Sequence, residues 1–169
     1  MSMIGEYARF TPAELDRAVR DPAWAWEFVE ELLYAPEDGT APLQGPPRGR
    51  LHDTGKMWHA LEFLLDRHHV PVNVVHGERE LSGAEDWGYG PPRLIVPERV
   101  RTAAEAMAAI TPEGLIAGTT PADLAAAGIY TFEGGGDETL DDAAHAYQRL
   151  AAFFTATARL RHGLLVWID

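Results

Sequence analysis

Cysteine is absent from this chain of 169 residues, serine occurs twice and lysine once. Without cysteine there can be no disulfide and no thiolate chemistry, which suits a reducing, cytoplasmic setting. The two serines, Ser2 and Ser82, both lie outside a G-x-S-x-G frame, so serine nucleophile catalysis has no motif to stand on. Lys56, the single lysine, reads as an exposed amine at the start of a polar helix face. No apolar run approaches the roughly 20 residues a membrane helix needs. The first residues lack a basic region followed by an apolar one, so no secretory signal is visible.

Positive charge is scarce as well. Fourteen Lys and Arg face 26 Asp and Glu, for a formal net charge of −12 and a pI near 4.9. Such a surface repels phosphate backbones and anionic membranes, so neither nucleic acid nor a membrane is an expected partner. Arg93, Arg99 and Arg101 lie close together, but Glu98 and Glu105 interrupt them. A basic partner protein, or solubility alone, accounts for the charge. The 46% hydrophobic content is ordinary for one globular domain of this length.

What is present is a series of helix starts. Thr11-Pro12-Ala13-Glu14 supplies a capping hydroxyl, a proline suited to the first helical position and a returning carboxylate. Asp21-Pro22, Thr111-Pro112 and Thr120-Pro121 repeat the signal. A first strand is expected within Met3 to Phe10. The helix after Thr11 has an apolar side of Leu15, Ala18 and Val19, and the next carries Trp26, Val29, Leu32 and Leu33, broadened by Trp24 and Phe28. Residues 35–50, rich in proline and glycine, read as a loop. A capped amphipathic helix follows over about Gly55 to Arg67, with Met57, Ala60, Leu61 and Leu64 as its apolar stripe. Val70 to Val75 is β-branched and reads as a short strand that Pro71 places at an edge, and Leu94-Ile95-Val96 is another short apolar run, stopped by Pro97. From Pro97 a helix is expected to about Ile110. After the flexible turn over 133–137 the longest helix runs from about Leu140 to His162, ended by Gly163. Leu164 to Ile168 then reads as a central strand, apolar on both faces.

Two segments carry candidate chemistry. His59, Glu62 and Asp66 fall within an arc of roughly 60° on their helix, opposite the apolar stripe. A histidine with two carboxylates can relay a proton or hold a divalent metal, with Trp58 lining the same place, although a solvated polar face has the same pattern. Trp87-Gly88-Tyr89-Gly90-Pro91-Pro92-Arg93 is the second. Its glycines let backbone approach a ligand, Tyr89 offers a flat face and a hydroxyl, and Arg93 a forked donor. Asp86 pairing with Arg93 would instead lock the loop. His68 and His69 read as capping groups at a helix end, and His52 and His76 as isolated surface residues. No Cys/His or His-Glu-x-x-His spacing is present, so neither metal nor cofactor is expected.

Met3-Ile4-Gly5, the Lys56-to-Leu61 helix, Gly88 to Arg93, the helix from Pro97 and the terminal Leu164-to-Ile168 strand together resemble the YfbM-like family of bacterial proteins, a domain of unknown function. The resemblance spans nearly the whole chain. It implies a single compact α+β domain over residues 1–169 in a cytoplasmic protein, and it carries over no substrate, cofactor or catalytic residue. The order of elements adds a small mixed β-sheet packed with several helices, closing on a long helix and a buried strand. Beside a structural role with no specific site, two functions remain open: a protein-interaction module for a basic partner, or a small-ligand binder or enzyme. The second requires a cleft between the helix bearing Trp58, His59, Glu62 and Asp66 and the loop bearing Trp87, Tyr89 and Arg93.

Overall fold

The structure is a computed structural model that describes residues 2–34, 49–130 and 137–169. The loop expected over 35–50 and the turn expected over 133–137 therefore lie outside the described residues, save for Gly49, Arg50 and Asp137.

Strand β1 (Gly5–Phe10) runs directly into the Thr11 cap of helix α1 (Pro12–Arg20). Both capping-box bonds form: Glu14 N donates to Thr11 Oγ1 at 3.2 Å, and Thr11 N to Glu14 Oε2 at 2.8 Å. Asp21 then ends α1 and caps α2 (Pro22–Leu33), accepting from Trp24 N at 3.2 Å, so the two helices meet at one residue. Strand β2 (Leu51–Asp53) and a 3-10 turn (Gly55–Met57) lead into α3 (Trp58–Arg67). Thr54 does not cap this helix. Its hydroxyl bonds the Gly5 carbonyl at 3.3 Å, while Asp53 Oδ1 accepts from Gly55 N at 2.9 Å. Strands β3 (Arg79–Glu80) and β4 (Arg93–Ile95), helices α4 (Pro97–Ala108), α5 (Pro112–Ile116) and α6 (Pro121–Ala126), the long α7 (Asp137–Arg159) and β5 (Gly163–Ile168) complete the order.

The five strands of the described residues form one sheet in the order β2-β1-β5-β4-β3. The α+β class and the central place of the last strand agree with expectation. The sheet, however, is antiparallel in every pairing rather than mixed. β5 pairs with β1 along its whole length, from Gly5↔Ile168 to Phe10↔Gly163, and with β4 on its other side. All its residues are buried, because successive side chains enter two different cores. Leu164, Val166 and Ile168 join Tyr7 beneath α3, α4 and α7. Leu165 and Trp167 join Ala8, Phe10 and Leu94 beneath α1 and α2.

Some expectations fail for physical reasons. Val70 to Val75 forms no strand. Asn73 Oδ1 accepts from His76 N at 3.0 Å and folds the segment into a turn, and Val72, Val74 and Val75 drop into the larger core. Trp26 and Leu33 lie exposed, because Ala25, Phe28, Val29 and Leu32 are the residues α2 turns inward, and Val19 lies exposed because α1 buries Leu15 and Ala18 instead. Gly163 does not cap α7. Arg161 takes the left-handed conformation there (φ 56°), with its N–H on the Ala158 carbonyl and that of His162 on the Thr157 carbonyl. Gly163 opens β5 instead, where a Cβ would sit 2.6 Å from Leu15 Cδ2 and 3.0 Å from the Ile95 carbonyl oxygen.

Candidate functional site

The start of α3 gathers four rings. Trp58 is almost wholly buried and stacks on His59, with centroids 4.8 Å apart and planes 10° from parallel. Tyr130 stacks on the same indole at 6.2 Å, and His76 meets it edge-on at 5.7 Å. The Tyr130 amide donates to His59 Nδ1 at 2.9 Å. A neutral His59 therefore carries its proton on Nε2, pointing away from that bond. The Tyr130 hydroxyl accepts from Met3 N at 3.3 Å and ties the group to the chain ahead of β1. Glu62, one turn along α3, has Oε1 3.1 Å from His76 Nε2. That hydrogen bond, more than the nearby charges, holds the Glu62 carboxyl below the usual carboxylate range against the opposing effect of burial. Among the described residues Trp58 Nε1 is buried without an acceptor.

This arrangement differs from the expected one in three ways. His76 is a member of the group, not an isolated surface residue. Asp66 is exposed, a full turn beyond Glu62. His68 reaches away, its Nε2 3.0 Å from the Leu115 carbonyl oxygen, which binds α3 to α5. His52 is not a surface residue either: it stacks on Phe153 at 5.1 Å beside Tyr7, and burial lowers its pKa.

The glycine-proline loop divides its residues between the two sheet faces. Trp87 is buried in the smaller core, edge-on to Trp167 at 5.2 Å and tilted against Trp26 at 5.1 Å. Gly88 holds φ at 142°, and a Cβ there would lie 2.4 Å from the Ile168 carbonyl oxygen. Glycine is what lets the loop clamp onto the end of β5, where Tyr89 N donates to that same oxygen at 2.8 Å. The Tyr89 ring is thereby fixed at its backbone and remains 54% exposed. Arg93 does not pair with Asp86. It points from β4 to the other face, donating Nε to the Gly77 carbonyl at 3.4 Å and Nη2 to the Glu78 carbonyl at 2.8 Å. The structure thus brings Trp58, His59 and Glu62 together and seats Arg93 on the residues just after His76. It leaves Tyr89 at the tip of β5 and Trp87 on the opposite side of the sheet.

Tyr89 borders a depression of about 410 Å³ shared with Ser2, Ile4, Gly88 and Asp169. Glu6 projects from the same face of β1 as Ile4 and lies opposite Asp53 in the β1–β2 register. Burial first, then Asp53 and Asp169, push its carboxyl up to about 7. Three carboxyl groups, those of Glu6, Asp53 and Asp169, and the open phenol ring of Tyr89 thus lie at this end of the sheet. Among the described residues no three His, Asp or Glu side chains are grouped to hold a metal ion. The sequence reading missed Glu6, although it left a trace: a charge in line with the apolar Ala8 and Phe10 at strand spacing.

Comparison with known proteins bears on family and fold. Residues 1–167 match the family described as Domain of unknown function (DUF1877). The crystal structure of YfbM from Escherichia coli, a protein of unknown function, is similar with a TM-score of 0.68 and 14% identity, over 98% of this chain and 99% of that one. At that identity the likeness is one of fold. No curated protein sequence matches the chain. With the family match covering nearly all its residues, this chain belongs to the DUF1877 family, a domain of unknown function.

Proposed function

We propose that this protein is an interaction module that receives a cationic side chain of a basic partner protein in the depression beside Tyr89. The observation that carries the reading is a half-exposed tyrosine held rigidly by its backbone against a patch containing Glu6, Asp53 and Asp169. An aromatic face beside carboxylates suits a guanidinium or ammonium, and prior rigidity lowers the ordering cost of binding. The net charge of −12 would draw such a partner in from a distance. It also disfavours nucleic acid. The cysteine-free composition accords with the cytoplasm, and no described helix is long and apolar enough to cross a membrane.

The test is capture from a lysate of the source organism by the pure protein and by a Tyr89→Ala, Asp169→Asn double variant. A basic protein retained by the first, released by about 0.5 M salt and lost with the second is the expected result. Equal retention by both, or retention of no basic protein, overturns the reading.

A second reading rests on a different observation. The His76–Glu62 contact and the fixed tautomer of His59 both border the Trp58 ring, which is how a small-ligand or proton-transfer site is lined. A metabolite screen by thermal shift separates the two. A ligand whose effect His76→Gln removes and Tyr89→Ala leaves intact would favour this site instead.

A further inference from the structure

The opposite end of the sheet, where β1 finishes and β5 begins, collects the charge this chain has least of. Arg9 is 7% exposed, lies over the Phe153 ring at 4.9 Å and donates Nε to Thr157 Oγ1 at 3.0 Å. Arg50 is 4% exposed, and its carbonyl accepts from the Arg9 amide at 2.7 Å, so the two backbones run side by side. Its Nη2 donates to Glu14 Oε2 at 2.7 Å. Its Nη1 is buried with no hydrogen-bond partner among the described residues. His162 sits in the turn from α7 to β5, and its Nδ1 is likewise buried and without a partner among them.

Among the described residues the charges here do not balance. Of two guanidinium groups, which cannot shed their protons, Arg50 is bonded to the Glu14 carboxylate, whereas Arg9 is bonded to the Thr157 hydroxyl. That carboxylate is also engaged by the Thr11 amide. Removing an ion from water is costly unless an opposite charge and full hydrogen bonding compensate it. The surplus is felt nearby. Among the described residues, the charged groups facing His162 are Arg50, Arg9 and Glu14. After burial, the two arginines hold its pKa below the ordinary value, and Glu14 opposes them only in part. An anion against Arg50 Nη1 and His162 Nδ1 would satisfy both atoms and neutralise the excess.

We propose that Arg50 and His162, with Arg9 adding its charge, form a binding site for a small tetrahedral oxyanion of the phosphate kind. Arg50 supplies the unused arm of its fork, His162 supplies Nδ1–H, and Thr157 fixes Arg9 beside them. Binding would take up a proton at His162, because the anion reverses the field that keeps the ring neutral. The site lies at the far end of β1 from Tyr89 and stands independently of the partner reading.

The experiment follows the histidine Cε1–H signals by NMR at constant ionic strength. Sulfate is the first probe, since it has the right shape and does not titrate near neutral pH. A saturable shift at His162 is expected, absent with chloride, and roughly tenfold tighter at about pH 5.5 than at about pH 7.5. Inorganic phosphate and glycerol phosphate are then compared: tighter binding of the ester marks an organic phosphate as the ligand, equal binding marks the free anion. Arg50→Ala also strips Glu14 of its partner and can unfold the chain. Arg50→Lys keeps the charge and that pairing but loses the fork, and should weaken sulfate about tenfold. His162→Gln should abolish the pH dependence. A shift reproduced by chloride, no saturable shift, or unaltered sulfate binding in Arg50→Lys overturns the proposal.

Discussion

Glu6 and Glu62 are displaced in opposite directions, with opposite consequences for stability. Glu6 holds its proton more tightly in the folded chain, with a pKa of about 7 against an ordinary 4.5. Its contribution is therefore complete below about pH 4.5 and is lost as the pH rises through 7. Partial exposure keeps the effect well under the roughly 1.4 kcal/mol per unit of a fully screened-off group. Glu6→Gln should raise the melting temperature at about pH 8 and leave it unchanged at about pH 4.5, which paired thermal melts will read. Glu62 is the reverse case: its bond to His76 stabilises the ionised carboxylate and is lost as the solution is acidified through its depressed pKa. The pairing of His59 with Glu62 on one helix face was legible because it depends on helical spacing alone. That of Glu62 with His76 was not, because a turn at Asn73 brings the second residue back. Nor could the loop composition announce that Trp87 and Arg93 would leave on opposite sides of the sheet.

Helix starts in this protein are local events, and they were readable for that reason. Thr11, Asp21, Thr111 and Thr120 each accept a bond from an amide three residues on, with proline following as the first helical residue. Helix ends are less local. α3 and α7 both finish on a non-glycine residue in the left-handed conformation, His69 (φ 55°) and Arg161 (φ 56°). The hydrogen-bond pattern resembles the usual glycine stop, since Val70 N reaches the Leu65 carbonyl just as His162 N reaches that of Thr157. Only the residue type is unexpected, and Gly163, two positions on, drew the prediction away. Each side chain costs about 1 kcal/mol of backbone strain in this geometry. His69→Gly and Arg161→Gly should accordingly each stabilise the fold by about 0.5–1 kcal/mol in urea denaturation, whereas alanine at either position should not. Val70 to Val75 shows the limit of composition: β-branched residues fit a strand, but here they fill the core from a turn.

The sheet separates two cores of unequal size, and the tryptophans are divided unevenly between them. Trp24, Trp26, Trp87 and Trp167 pack on the α1–α2 side, and Trp58 alone lies under the larger helical layer. Tryptophan fluorescence therefore reports mainly on the smaller core, and far-UV circular dichroism mainly on the helices of the larger. Because β5 is a wall of both, the two probes should show coincident urea transitions, and a separation of their midpoints would show that one core survives the other. The position of β5 has a further consequence for how the chain comes into being. β1 and β4 do not pair; β5 lies between them and follows every other described element in the sequence. During synthesis the ribosome delivers the helices and both flanking strands first, and they wait, with apolar faces uncovered, for the strand that joins them. The sheet closes only when Ile168 has cleared the exit tunnel. Until then the nascent chain is a client for whatever shields unfinished proteins, and premature arrest within α7 leaves two half-sheets with nothing to hold them together.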